Sequence, residues 1–77
     1  MDSLKPVPYQ VLVKIFEEEG YTYNRTSGDH LIYTKSGINR PLVIPKYKSV
    51  PVFVIKNLLR TAGISREQYL ALLKHHN

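Results

Sequence analysis

Tyr21-Thr22-Tyr23-Asn24-Arg25, then Thr26-Ser27-Gly28, then His30-Leu31-Ile32-Tyr33-Thr34 is the stretch that decides the fold. Its outer segments are rich in residues that favour a pleated, half-buried surface, and the segment between them has turn chemistry, so the run reads as a β-hairpin. Lys35-Ser36-Gly37-Ile38-Asn39 is a second turn dense in breakers, and Leu42-Val43-Ile44 is a short third strand that Pro45 ends. Pro41 argues for an edge position, or for a strand that starts after it. Upstream, Val11, Leu12, Ile15 and Phe16 recur at helical spacing between Pro8, which suits a first turn, and Gly20, which suits a left-handed stop. Downstream, Pro51 can open a second helix with Val52, Ile55, Leu58, Leu59 and Ala62 on its apolar side. Lys56 and Arg60, four residues apart, stack on a different side. Gly63 stops this helix, and Ser65 with Gln68 resembles a capping box. A third helix from Arg66 to about His75 offers Leu70 and Leu73 to the core, with Tyr69 and Leu72 beside them.

The order α-β-β-β-α-α predicts one α+β domain over residues 1–77, with a three-stranded antiparallel sheet and its helices on one face. So short a chain cannot cover both faces of the sheet, so the other face stays open to solvent or ligand. Alternation puts Leu31 and Tyr33 on one face and His30, Ile32 and Thr34 on the other. Which set meets the helices is not legible from the letters alone.

Composition narrows the function. The chain has 77 residues, 43% of them hydrophobic, and no cysteine, so neither disulfides nor a cysteine-rich zinc site can stabilise it. The longest apolar stretch, Val50 to Ile55, is six residues, well short of the roughly 18 of a membrane helix. Met1-Asp2-Ser3 lacks the basic and then apolar start of a signal peptide, so a cytoplasmic protein is expected. The net charge is +5, and residues 20–63 hold seven cations, Arg25, Lys35, Arg40, Lys46, Lys48, Lys56 and Arg60, against the single acid Asp29. Such a cluster suits a polyanion, most often nucleic acid, or else a surface kept soluble by its charge.

His30 stands where a turn becomes a strand, placed by the sheet yet within reach of solvent, and imidazole exchanges protons near neutral pH. Asp29 is adjacent and can favour the protonated ring, although neighbours along a strand point to opposite faces. Taken alone, a histidine at such a position is more often a surface residue than a catalyst. No phosphate-binding glycine loop, dinucleotide fingerprint or nucleophile elbow is present. Glu17-Glu18-Glu19 reads as a charged helix end, and His75 with His76 as a terminal pair poorly placed for a metal, so no metal or cofactor is expected. Tyr47, between Lys46 and Lys48, can stack on a base while the ammonium groups meet phosphates. The other five tyrosines, Tyr9, Tyr21, Tyr23, Tyr33 and Tyr69, are expected in or around the core with hydroxyls at its rim. Ile55 to Leu73 also has the outline of a DNA-binding helix-turn-helix whose second helix begins Arg66-Glu67-Gln68, although the densest cations lie upstream of it.

The first helix ending in Glu-Gly-Tyr, an arginine in the first strand, Gly28-Asp29-His30-Leu31-Ile32-Tyr33, Val43-Ile44-Pro45 and Leu58-Leu59-Arg60-Thr61-Ala62-Gly63-Ile64-Ser65 occur in a fixed order. Through them the chain resembles the HicA toxin family, also grouped as YcfA-like, from about Tyr9 to Leu70. The resemblance implies a fold like a double-stranded-RNA-binding domain, ribonuclease activity on messenger RNA, and neutralisation by a HicB antitoxin. It maps the family's Gly-Ser-His or Gly-Gly-His motif onto Gly28, Asp29 and His30, which makes His30 the catalytic candidate. Asp29 replaces a small or hydroxyl residue, Tyr47 stands where many members have a second histidine, and the loop from Pro45 to Pro51 is shorter than usual. The expected RNA-contacting set is Arg25, Gly28, Lys46, Tyr47, Lys48 and Lys56, with Arg40 and Arg60 behind them. The alternatives are an RNA-binding module of the same fold without catalysis, and a domain whose basic surface meets an acidic partner protein.

Overall fold

The computed structural model describes residues 4–75. Met1–Ser3 and His76, on which the readings of the N-terminus and of the terminal histidine pair bear, lie outside the described residues. The elements run α1 (Tyr9–Glu18), β1 (Thr22–Ser27), β2 (His30–Lys35), β3 (Ile38–Pro45), α2 (Val52–Ala62) and α3 (Arg66–His75). The expected α+β order is therefore the observed one, and it is consistent with a double-stranded-RNA-binding-domain-like fold.

Pro8 and Pro51 each sit one residue before a helix rather than inside it, in extended conformation, where the missing N–H costs no helical bond. At its other end α1 closes on Gly20, at φ +99°. The Gly20 N–H donates to the Glu17 carbonyl, the Tyr21 N–H donates to the Phe16 carbonyl at 3.0 Å, and the Tyr21 ring meets Phe16 edge-on at 5.9 Å. This is the Schellman stop with its hydrophobic contact, and it delivers the chain from helix to sheet. The same pair of bonds ends α2: the N–H groups of Gly63 and Ile64 donate to the carbonyls of Arg60 and Leu59. Ser65 and Gln68 form the expected capping box, each backbone N–H donating to the other's side-chain oxygen.

The strands form an antiparallel sheet in the order β1-β2-β3. The sequence places the first turn at Thr26-Ser27-Gly28 and starts the third strand at Leu42; the structure corrects both. Ser27 pairs with His30, so β1 continues through Ser27 and the loop is only Gly28-Asp29, the shortest hairpin connection. Lys35 pairs with Ile38, so β3 begins four residues early and Pro41 sits within it, in an irregular stretch of an edge strand.

Leu42 and Ile44 pair with Tyr33 and Leu31, and these side chains form the face that packs against Leu12, Ile15, Phe16, Ile55, Leu58 and Leu59 of the helices. Leu31 and Tyr33 thus belong to the covered face; His30 and Ile32 belong to the open one. Two expectations about tyrosines fail. Tyr23 is exposed, because the helices cover β2 and β3 and leave all of β1 in solvent, although its ring still meets Tyr33 edge-on. Tyr69 lies in the core as expected and is the one buried residue of α3, while Leu70 and Leu73, which the spacing offers to the core, are only partly covered. The hydroxyls of Tyr21 and Tyr69 are not at a rim: both are buried without a hydrogen-bond partner. Burial raises the pKa of Tyr21, Tyr33 and Tyr69, and for Tyr33 the Glu17 carboxylate, which accepts its O–H at 3.2 Å, adds to the rise.

Candidate functional site

His30 is placed by the hairpin. Gly28 occupies the first position of the two-residue loop at φ +61°, a conformation costly for side chains, and a Cβ there would meet nothing within 4 Å. Glycine is therefore required by backbone geometry and not by space. The turn makes His30 the first residue of β2, on the open face, with its side chain 42% exposed.

Its Nδ1 lies 3.1 Å from Oδ1 of Asp29. Strand alternation would have sent the two side chains to opposite faces, but Asp29 belongs to the turn and is free of that rule. The contact is at ion-pair distance, and it sets a carboxylate beside a solvent-accessible imidazole, the side chain that exchanges protons most readily near neutral pH.

The cations divide into two groups. Arg25 pairs with Ile32 across the sheet, which places it on the open face with His30, and one arm of its guanidinium donates to Asn24 at 3.1 Å. The Lys46 N–H donates to the Asp29 carbonyl at 2.8 Å, so the basic loop starts against the His30 turn. That loop is tied down at both ends: Tyr47 accepts from the Tyr9 N–H, and the Val50 N–H donates to Val7. Tyr47 is 42% exposed and Lys48 is exposed. Gly28, Arg25, Lys46, Tyr47 and Lys48 are thus drawn toward His30 or onto the loop that leaves it. Lys56 and Arg60 are exposed on α2, which packs on the opposite face of the sheet, so they stand on the helical layer. Arg40 lies between the groups, in a groove of about 280 Å³ where β3 meets α2.

One feature escaped the sequence reading. Phe53, in the first turn of α2, is 69% exposed. Its spacing from Lys56 and Arg60, three and seven residues, was the available signal, but in Val52-Phe53-Val54 an aromatic between two valines reads as core. The helix-turn-helix outline gains little from the structure: the Gln68 side chain, which it would place on base edges, is held in the α3 cap. Among the described residues no cluster of three or more His, Asp or Glu side chains could hold a metal ion, and no helix is long and apolar enough to cross a membrane.

A small basic α+β domain with one sheet face free of helices and a histidine at its hairpin is consistent with a double-stranded-RNA-binding-domain-like fold. The family model described as the HicA toxin of bacterial toxin-antitoxin systems matches residues 9–64, and the chain belongs to that family. No curated protein matches it. The match opens at α1 and closes just after Gly63, so it contains His30 and both cation groups and leaves out α3. Membership carries a toxin role and implies a neutralising partner.

Proposed function

We propose that this toxin is an endoribonuclease that cuts messenger RNA with His30 as its catalytic imidazole and needs no metal ion. A HicB-type antitoxin is its proposed partner. The observation that carries the reading is the Asp29–His30 contact at 3.1 Å on an open sheet face beside Lys46 and Arg25. RNA strand scission requires proton transfer from the 2′-hydroxyl and stabilisation of charge on phosphorus. His30 Nε2 accepts the 2′-hydroxyl proton; the 2′-oxygen attacks phosphorus; the bond to the 5′-oxygen breaks; that oxygen takes a proton from the imidazolium or water. The products are a 2′,3′-cyclic phosphate and a 5′-hydroxyl. In this reading Arg25, Lys46 and Lys48 meet the phosphates and Tyr47 stacks on a base.

The test is incubation of the purified protein with labelled RNA in EDTA, with end-group analysis of the products. Cleavage leaving 5′-hydroxyl ends, and none of an all-2′-deoxy strand, is expected. Binding without cleavage would overturn the enzymatic reading in favour of a binding module.

A further inference from the structure

Phe53 is the most exposed of the large apolar side chains that lie at the surface, and it shares its side of α2 with two cations. At 100° per residue, Phe53, Lys56 and Arg60 fall within an arc of about 60°, opposite the buried Ile55, Leu58 and Leu59. The stripe runs about 10 Å along the helix. No acid occurs in α2, and among the described residues no carboxylate lies within ion-pair distance of Lys56 or Arg60. An unpartnered aromatic at the head of a stripe of unneutralised cations has the chemistry of a site for single-stranded nucleic acid, with a base stacked on the ring and phosphates on the ammonium and guanidinium groups.

This stripe does not stand apart from the His30 face. The groove at the β3 edge has Asn57 on its α2 wall, one helical turn from Phe53, and Val43 on its β3 wall. Val43 pairs with Ile32, so it lies on the open face that holds His30. Arg40 lines the same groove. The groove thus joins the α2 side that carries Phe53, past Asn57 and Arg40, to the β3 edge of the face that holds His30, where Asp29 is the acid beside the imidazole.

Resting on the ribonuclease reading above, we infer that the α2 stripe is a second, non-catalytic contact for the RNA strand, in which Phe53 stacks on a base, Lys56 and Arg60 hold phosphates, and the β3 edge guides the strand toward His30. The site takes single-stranded RNA, since a stacked base must leave its duplex.

The test uses a 2′-O-methyl RNA oligonucleotide, which this chemistry cannot cut, carrying 2-aminopurine as a stacking reporter. Wild type is compared with Phe53→Leu, with the double variant Lys56→Ala/Arg60→Ala, and with Lys14→Ala as a control cation on α1. Phe53→Leu is expected to weaken binding by roughly fivefold to a hundredfold and to relieve quenching of the reporter. The double variant is expected to lower the salt slope of binding by about 1.4, near 0.7 per lost phosphate contact, and Lys14→Ala to leave it unchanged. Wild-type affinity and quenching in Phe53→Leu would overturn the inference while leaving the ribonuclease reading in place. Unchanged RNA affinity with lost antitoxin binding would overturn it in favour of a protein-docking face. A wild-type protein that neither binds nor cuts RNA would overturn the ribonuclease reading itself.

Discussion

Replacing Asp29 by asparagine tests the carboxylate apart from the turn, because asparagine suits the same loop position. The variant keeps a side chain that can accept a hydrogen bond from Nδ1 but loses the charge that stabilises His30 once it has taken up a proton. At 3.1 Å the attraction between unit charges in water is about 1 kcal/mol. The side chains are 42% and 69% exposed, so solvent screening brings the contribution into the range of exposed ion pairs, about 0.2 to 1 kcal/mol. The expected loss in kcat is therefore roughly 1.4-fold to fivefold, far from the roughly ten-thousandfold of a buried carboxylate–imidazole pair. The same change removes a negative charge beside the approaching phosphate, so KM should fall. Single-turnover cleavage of a labelled RNA at low salt, over a range of protein concentrations, separates the two effects, and the kcat difference should shrink at high salt. Unchanged kcat at low salt would refute the electrostatic role of Asp29, and a thousandfold loss would refute the screened-contact reasoning.

Gly28→Ala should lower Tm by about 5–10 °C, since a left-handed alanine costs about 1 kcal/mol or more while the added methyl meets no neighbour; thermal denaturation checks this. Tyr69→Phe should leave stability to urea unchanged or raised, because the hydroxyl it removes is buried without a partner. Tyr21, Tyr33 and Tyr69 have folded pKa values raised above 10, so they hold their protons when unfolded tyrosines lose theirs. Stability should be intact below pH of about 10 and fall as pH rises beyond it, and the fall should be shallower in Tyr69→Phe.

What the letters made legible was punctuation and period. Pro8, Gly20, Pro51 and Gly63 bound their helices within two residues, because each acts through its own backbone. The start of β3 was not legible: Gly37-Ile38-Asn39-Arg40-Pro41 has loop composition, and only pairing of Ile38 with Lys35 turns part of it into strand. The ranking of Tyr69 over Leu70 also depends on tertiary packing, since both lie near the apolar side of a short helix. At the candidate site, the position of His30 followed from the hairpin. Its contact with Asp29 did not, because alternation governs strands and Asp29 is one residue outside. The separation of Lys56 and Arg60 from His30 required knowing which sheet face the helices cover, and strand alternation alone leaves that choice open.

In the proposed reaction the His30 imidazole performs the proton transfer. The most direct measurement is the single-turnover cleavage rate of His30→Ala in EDTA, alongside its affinity for the same RNA. Loss of general acid–base action should lower the rate by about a hundredfold to ten-thousandfold with RNA affinity retained. A His30→Ala protein that cleaves as fast as wild type would rule out the imidazole as the catalytic group.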